Sequence, residues 1–64
     1  MILNVPDMSC GHCKASVEAV ILKLDPKASV QVDLTARKVE VSTIEPVEAI
    51  LLALDSVGFP ATAA

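Results

Sequence analysis

Cys10 and Cys13 are the residues in this chain whose type and spacing point most directly to chemistry, and they sit in Met8-Ser9-Cys10-Gly11-His12-Cys13. Thiols at this spacing can close on one soft metal ion or on each other, and the thiolate is the reactive species in both cases. His12 lies between them and is the third candidate ligand, although an outward-facing loop residue is the favoured reading for it. Met8 offers a thioether, but methionine is more often a filler of irregular core gaps. The carboxylates Glu18, Asp25, Glu45, Glu48 and Asp55 form no acid–base couple and are read as solvated surface. With no nucleophile elbow, phosphate loop or triad, the chain reads as a binding protein and not an enzyme.

The elements that must position the pair follow from periodicity. Ile2 to Val5 is a short apolar run stopped by Pro6 and Asp7, which predicts a first strand. From Cys13 onward the period is helical, with Val17, Val20, Ile21 and Leu24 on one face. Asp25-Pro26 ends that helix, because proline disfavours helical geometry in the residue before it. Strict alternation then predicts a hairpin. Val30, Val32 and Leu34 face one way, Thr35-Ala36-Arg37 turns the chain, and Val39 and Val41 return. Pro46 is placed at the first position of a second helix, with Val47, Ile50, Leu51, Leu54 and Val57 as its apolar stripe and Gly58 just beyond its end. Phe59 to Ala63 is a weaker candidate for a last strand.

The order β-α-β-β-α-β is that of the α+β ferredoxin-like sandwich, two helices packed on a four-stranded antiparallel sheet. Residues 1–64 make one domain. A chain of about this length buries only roughly 60% of its unfolded surface. Here 53% hydrophobic residues offset that, almost all aliphatic, with Phe59 as the single aromatic. The net charge of −3 and the lack of aromatic platforms argue against nucleic acid as a partner. No run of roughly 18 apolar residues predicts membrane insertion. No secretory signal precedes the motif, so the expected location is the cytosol, where a cysteine pair binds metal or does redox chemistry more often than it staples a fold.

On the predicted fold, Cys10 lies in the loop after the first strand and Cys13 in the first turn of the first helix. Free amides and the positive end of the helix dipole favour thiolate there. Gly11 is expected to bend the loop so that the sulfurs converge. Thiolates select Cu(I), and two of them suit an ion content with low coordination. A structural zinc site normally takes four ligands, so zinc would have to recruit Asp7 or His12. An open two-sulfur site suits transfer, because an incoming thiol can add before an old one leaves.

Met8-x-Cys10-x-x-Cys13 after a first strand, with the hairpin Val30-Gln31-Val32-Asp33-Leu34 and Lys38-Val39-Glu40-Val41, resembles the heavy-metal-associated domain over essentially the whole chain. That family includes small cytosolic copper chaperones and the metal-binding domains of copper-transporting P-type ATPases. The resemblance implies that Cys10 and Cys13 ligate Cu(I), that Met8 packs beneath the loop, and that Phe59 lies near the metal loop. It also implies the metal-binding domain of a copper-transporting P-type ATPase as partner. An exposed two-sulfur site further allows a copper-bridged homodimer. Two features depart from the family pattern: Asp7 stands where glycine is common, and Gly58-Phe59-Pro60 stands where chaperones often carry lysine or tyrosine. Ser9, where zinc-exporting relatives tend to have aspartate, weakens the zinc reading. A soluble domain of an ATPase, a zinc or mercury binder of the same fold, and a thiol-disulfide protein are the rival readings.

Overall fold

The structure is a computed structural model that describes residues 1–64. Its elements run β1 (Ile2–Asn4), α1 (Gly11–Leu24), β2 (Ser29–Asp33), β3 (Lys38–Ser42), α2 (Val47–Ser56) and β4 (Thr62–Ala63). The strands form one antiparallel sheet in the order β2-β3-β1-β4. Each helix therefore crosses over a strand belonging to the other half, β1-α1-β2 spanning β3 and β3-α2-β4 spanning β1. This is the ferredoxin-like sandwich expected from the pattern of residues.

Alternation sets the register. Val30 pairs with Val41 and Val32 with Val39, so the apolar side chains of the hairpin share one face. Leu3 pairs with Val39 and brings β1 onto the same face. Against it pack Val17 and Ile21 of α1 and Ile50 and Leu54 of α2, and these close over Val5, Met8 and Val41 to complete a core of nine buried side chains. Lys38 and Glu40, the residues between, stay exposed on the open face of the sheet.

Five expectations need correction. The first helix starts two residues before Cys13, because Gly11 and His12 already have helical geometry. Gly11 takes no left-handed angle, and a Cβ placed there would meet nothing within 4 Å, so the loop does not depend on glycine at that position. Pro46 caps α2 from outside the helix, with extended angles, and its carbonyl accepts from Ala49 N and Ile50 N at 3.0 and 3.3 Å. Leu24 and Val57, assigned to apolar stripes, lie at the C-terminal ends of their helices and remain 39% and 44% exposed. The last strand is shorter than expected, two residues paired with Leu3 and Asn4.

Gly58 closes α2 as expected. Its φ of +85° lets Gly58 N reach Asp55 O at 3.1 Å and Phe59 N reach Leu54 O at 3.0 Å, a Schellman motif. Phe59 leaves that motif half-buried against the core.

Asp25 also departs from its expected role as a solvated carboxylate. Only 8% exposed, it accepts from Lys27 N at 3.1 Å through Oδ1 and from the Thr43 hydroxyl at 2.6 Å through Oδ2. Thr43 Oγ1 in turn accepts from Glu45 N at 3.1 Å. The carboxylate thus ties the end of α1 to the link between β3 and α2. The hydroxyl of Thr43, followed by the amide of Lys27, holds its pKa below the usual aspartate value.

Candidate metal centre

The chain leaves β1 through a tight turn. Met8 N donates to Val5 O at 3.0 Å, with Pro6 at the second turn position, where its fixed φ suits the bend. Met8 then drops its side chain into the core with no exposed surface. The loop is anchored from below, and only Ser9 and Cys10 separate that anchor from the helix. The structure therefore assigns Met8 to packing.

Cys10 is the N-cap of α1, with φ −146° and ψ 170°. Its carbonyl accepts the first helical bond, from Lys14 N at 3.0 Å. Its sulfur accepts from Cys13 N at 3.4 Å, the position usually served by a serine or aspartate oxygen. The spacing that makes CxxC a ligand pair is thus also the spacing from N-cap to third helical residue. One backbone geometry serves both, and it turns the two side chains toward the same point above the helix end. The sulfurs lie 2.9 Å apart, in hydrogen-bond contact, and both cysteines are free.

The two thiols are not equivalent. Cys10 is exposed, while Cys13 is half-buried and packs against the core. The Cys10 thiol holds the Cys13 pKa below the ordinary thiol value, and the backbone amides of Ser9, Cys10 and Cys13 act in the same direction against partial burial. Both influences favour the thiolate form at Cys13, whose sulfur is in hydrogen-bond contact with that of Cys10. The unsatisfied amides and positive dipole end of α1 favour the same assignment.

His12 occupies the second helical position and is exposed. No group of three or more His, Cys, Asp or Glu side chains is gathered anywhere in the molecule in a way that could hold a metal ion. Neither His12 nor Asp7 is brought to the sulfurs as part of such a group. Two thiols at the exposed end of a helix, one already favoured as thiolate, can take up a soft cation by losing one proton or two.

Three further residues of this end were not singled out by the sequence as a set. Val5, Pro6 and Arg37 are joined by hydrogen bonds between the start of the cysteine loop and the hairpin turn. A proline just before the motif hinted at a turn, but nothing in the sequence tied it to Arg37.

The family model for the heavy-metal-associated domain matches residues 2–60. A stretch of 40 residues is 48% identical to the copper chaperone CopZ of Staphylococcus aureus (strain bovine RF122 / ET3-1). That stretch covers 62% of this chain and 59% of the length of the relative. Among solved structures, the chain superposes on a gold-binding protein with a TM-score of 0.93 at 41% identity, covering 95% of this chain and 94% of the other. It superposes on the copper chaperone Atx1 of Synechocystis PCC6803, in a trimeric form, with a TM-score of 0.94 at 32% identity, covering 97% and 98% of the two chains.

Proposed function

Because the chain belongs to the heavy-metal-associated domain family, we propose that it is a Cu(I) carrier, which holds one ion between Cys10 and Cys13 and passes it to the metal-binding domain of a copper-transporting P-type ATPase in the cytoplasm. The observation that carries this reading is the pair of sulfurs 2.9 Å apart at the exposed end of α1, with no third or fourth ligand gathered around them. Soft thiolates favour Cu(I), and a site lacking further ligands disfavours structural zinc. The names of the similar proteins, copper chaperones and a gold-binding protein, point to soft cations as well.

The inequality of the thiols gives the transfer an order of steps. A metal–thiolate bond is about 2.3 Å for zinc, so a linear two-sulfur complex on that scale needs sulfurs about 4.6 Å apart. The pair must open, and exposed Cys10 is the side chain free to do so. Its long 3.4 Å cap bond to Cys13 N is the contact it gives up. Cys13 stays fixed by its packing and holds the ion. In exchange, an incoming thiolate adds to the ion, Cys10 leaves, and Cys13 follows once a second incoming sulfur binds. The bound ion and two thiolates carry one net negative charge, which the helix end and the neighbouring Lys14 offset. Sharing the ion between two copies of this chain uses the same open coordination and gives a copper-bridged homodimer.

The test is a Cu(I) titration under reducing, anaerobic conditions, followed by mixing of the loaded protein with a candidate ATPase domain. Binding at one equivalent, its loss in Cys10→Ser/Cys13→Ser, and movement of copper to the acceptor are the expected results. Stronger retention of Zn(II) than of Cu(I), or turnover of a dithiol substrate through a reversible disulfide, would overturn the reading.

A further inference from the structure

Arg37 is the one residue other than glycine with a positive φ, +56°. It closes the turn at Leu34–Arg37 between β2 and β3, where Asp33 Oδ1 already accepts from Ala36 N at 3.0 Å. Glycine or asparagine takes this left-handed angle with little penalty, whereas a long side chain does so at a conformational cost. An outlier of this kind is maintained where the surroundings over-determine it. Here the surroundings are the entry to the metal loop. Arg37 O accepts from Val5 N at 2.9 Å, and Arg37 Nη1 donates to Pro6 O at 3.2 Å. Both partners belong to the turn that delivers Met8 and then Cys10.

The two contacts differ in kind. The carbonyl contact with Val5 is made by the backbone and does not depend on the guanidinium. The guanidinium contact with Pro6 is specific to the side chain, and it takes the carbonyl at the outer corner of the Val5–Met8 turn. Without it, the Pro6 carbonyl loses its partner, and the turn is held by the backbone bonds of Val5 N to Arg37 O and Met8 N to Val5 O and by the buried Met8 side chain. Any play in the turn passes to Ser9 and Cys10, the only residues between Met8 and the helix. The left-handed backbone at residue 37 is what presents the guanidinium from the hairpin across 31 positions of sequence to Pro6.

We propose that Arg37 is a positioning residue of the metal loop: its side chain fixes the Val5–Met8 turn and thereby limits how far exposed Cys10 swings away from Cys13. The proposal rests on the copper-carrier reading, and it predicts that Arg37 slows metal release without touching the metal. A single charge-assisted hydrogen bond of ordinary strength sets the scale at about five-fold.

The experiment compares the full chain with Arg37→Gly and Arg37→Lys. The glycine variant keeps the left-handed angle without strain, so it should melt close to the wild type. Two quantities are read: amide hydrogen exchange at Met8 in the metal-free protein, and the rate of Cu(I) loss to a chelator from the loaded protein. Arg37→Gly should exchange at Met8 and release Cu(I) about five-fold faster, with Arg37→Lys lying nearer the wild type. Unchanged exchange in Arg37→Gly, or faster exchange with unchanged release, would overturn the positioning role. Failure of the wild type itself to bind Cu(I) would sink the carrier reading and with it the effect on release. Exchange at Met8 would still decide whether Arg37 holds the turn.

Discussion

The two ends of α1 use the same local device for opposite purposes. At the N-terminal end Cys10 accepts from the amide three residues on, and at the C-terminal end Asp25 accepts from the amide two residues on. Both side chains take up a backbone donor that the helix or turn leaves unpaired. The sulfur does so at 3.4 Å while exposed, and its remaining partner is another thiol. The carboxylate does so at 3.1 Å while buried, and its second oxygen is taken by Thr43 at 2.6 Å. The difference shows how a small domain separates stability from exchange. A weakly held, solvent-facing cap is free to change partners, and a buried, doubly bonded one is not.

The sharpest way to break this contrast is to remove each cap in turn and measure melting and copper binding together. Asp25→Ala leaves Lys27 N and the Thr43 hydroxyl without their acceptor, and the melting temperature should fall by roughly 5–10 °C with Cu(I) affinity unchanged. Cys10→Ser/Cys13→Ser should do the reverse, abolishing Cu(I) binding while the metal-free protein melts close to the wild type, because serine is itself a good cap. A cysteine variant that melts far lower would mean that the thiols also stabilise the fold, and the contrast would fail.

A smaller effect sharpens it in pH. Asp25 has a folded pKa below its ordinary value of 3.8, so its charge stabilises the folded state above that value. The advantage of the wild type over Asp25→Asn should be full at neutral pH. It should begin to shrink as the pH drops through 3.8 and vanish once the folded carboxyl is protonated. Chemical denaturation at a series of pH values gives the curve, and a constant difference down to the lowest pH would show that the charge contributes nothing. The smallest expected effect is at His12. His12→Ala should leave Cu(I) affinity unchanged between about pH 5.5 and 8, the range in which histidine titrates. A pH-dependent loss of affinity would make it a ligand and the N-terminal end more than a two-sulfur site.

The residues explain which of these features a sequence reader can see. The hairpin was legible because Val30, Val32, Val39 and Val41 alternate without interruption, and the helix ends were legible from Pro26 and Gly58. The cysteine pair was legible because its spacing is itself the geometry. The buried role of Asp25 is hidden because a carboxylate before proline looks like a helix terminator on the surface. Its acceptor role depends on Thr43, 18 residues away, which no local pattern reveals. The aspartate–proline pair did carry a hint, since aspartate commonly accepts from the amide two residues on. Arg37 was invisible for a different reason, since arginine is not a residue that marks a left-handed turn. Gly11 misled in the opposite sense, because a glycine between ligands invites a conformational argument that the helical backbone does not need.

β1 is three residues long, yet it lies between β3 and β4 and leads directly into the turn before Cys10. During synthesis the thiols are made before the neighbours of the strand that leads to them, which finds its partners only when residues 38–40 and then 62–63 appear. At about 5–20 residues per second, the interval between residue 13 and residue 62 is roughly 2.5 to 10 seconds. For that time the nascent chain carries two loose cysteines open to any oxidant or stray cation. The geometry of the cysteine pair is therefore a property of the assembled sheet, complete only once Thr62 and Ala63 have paired with β1.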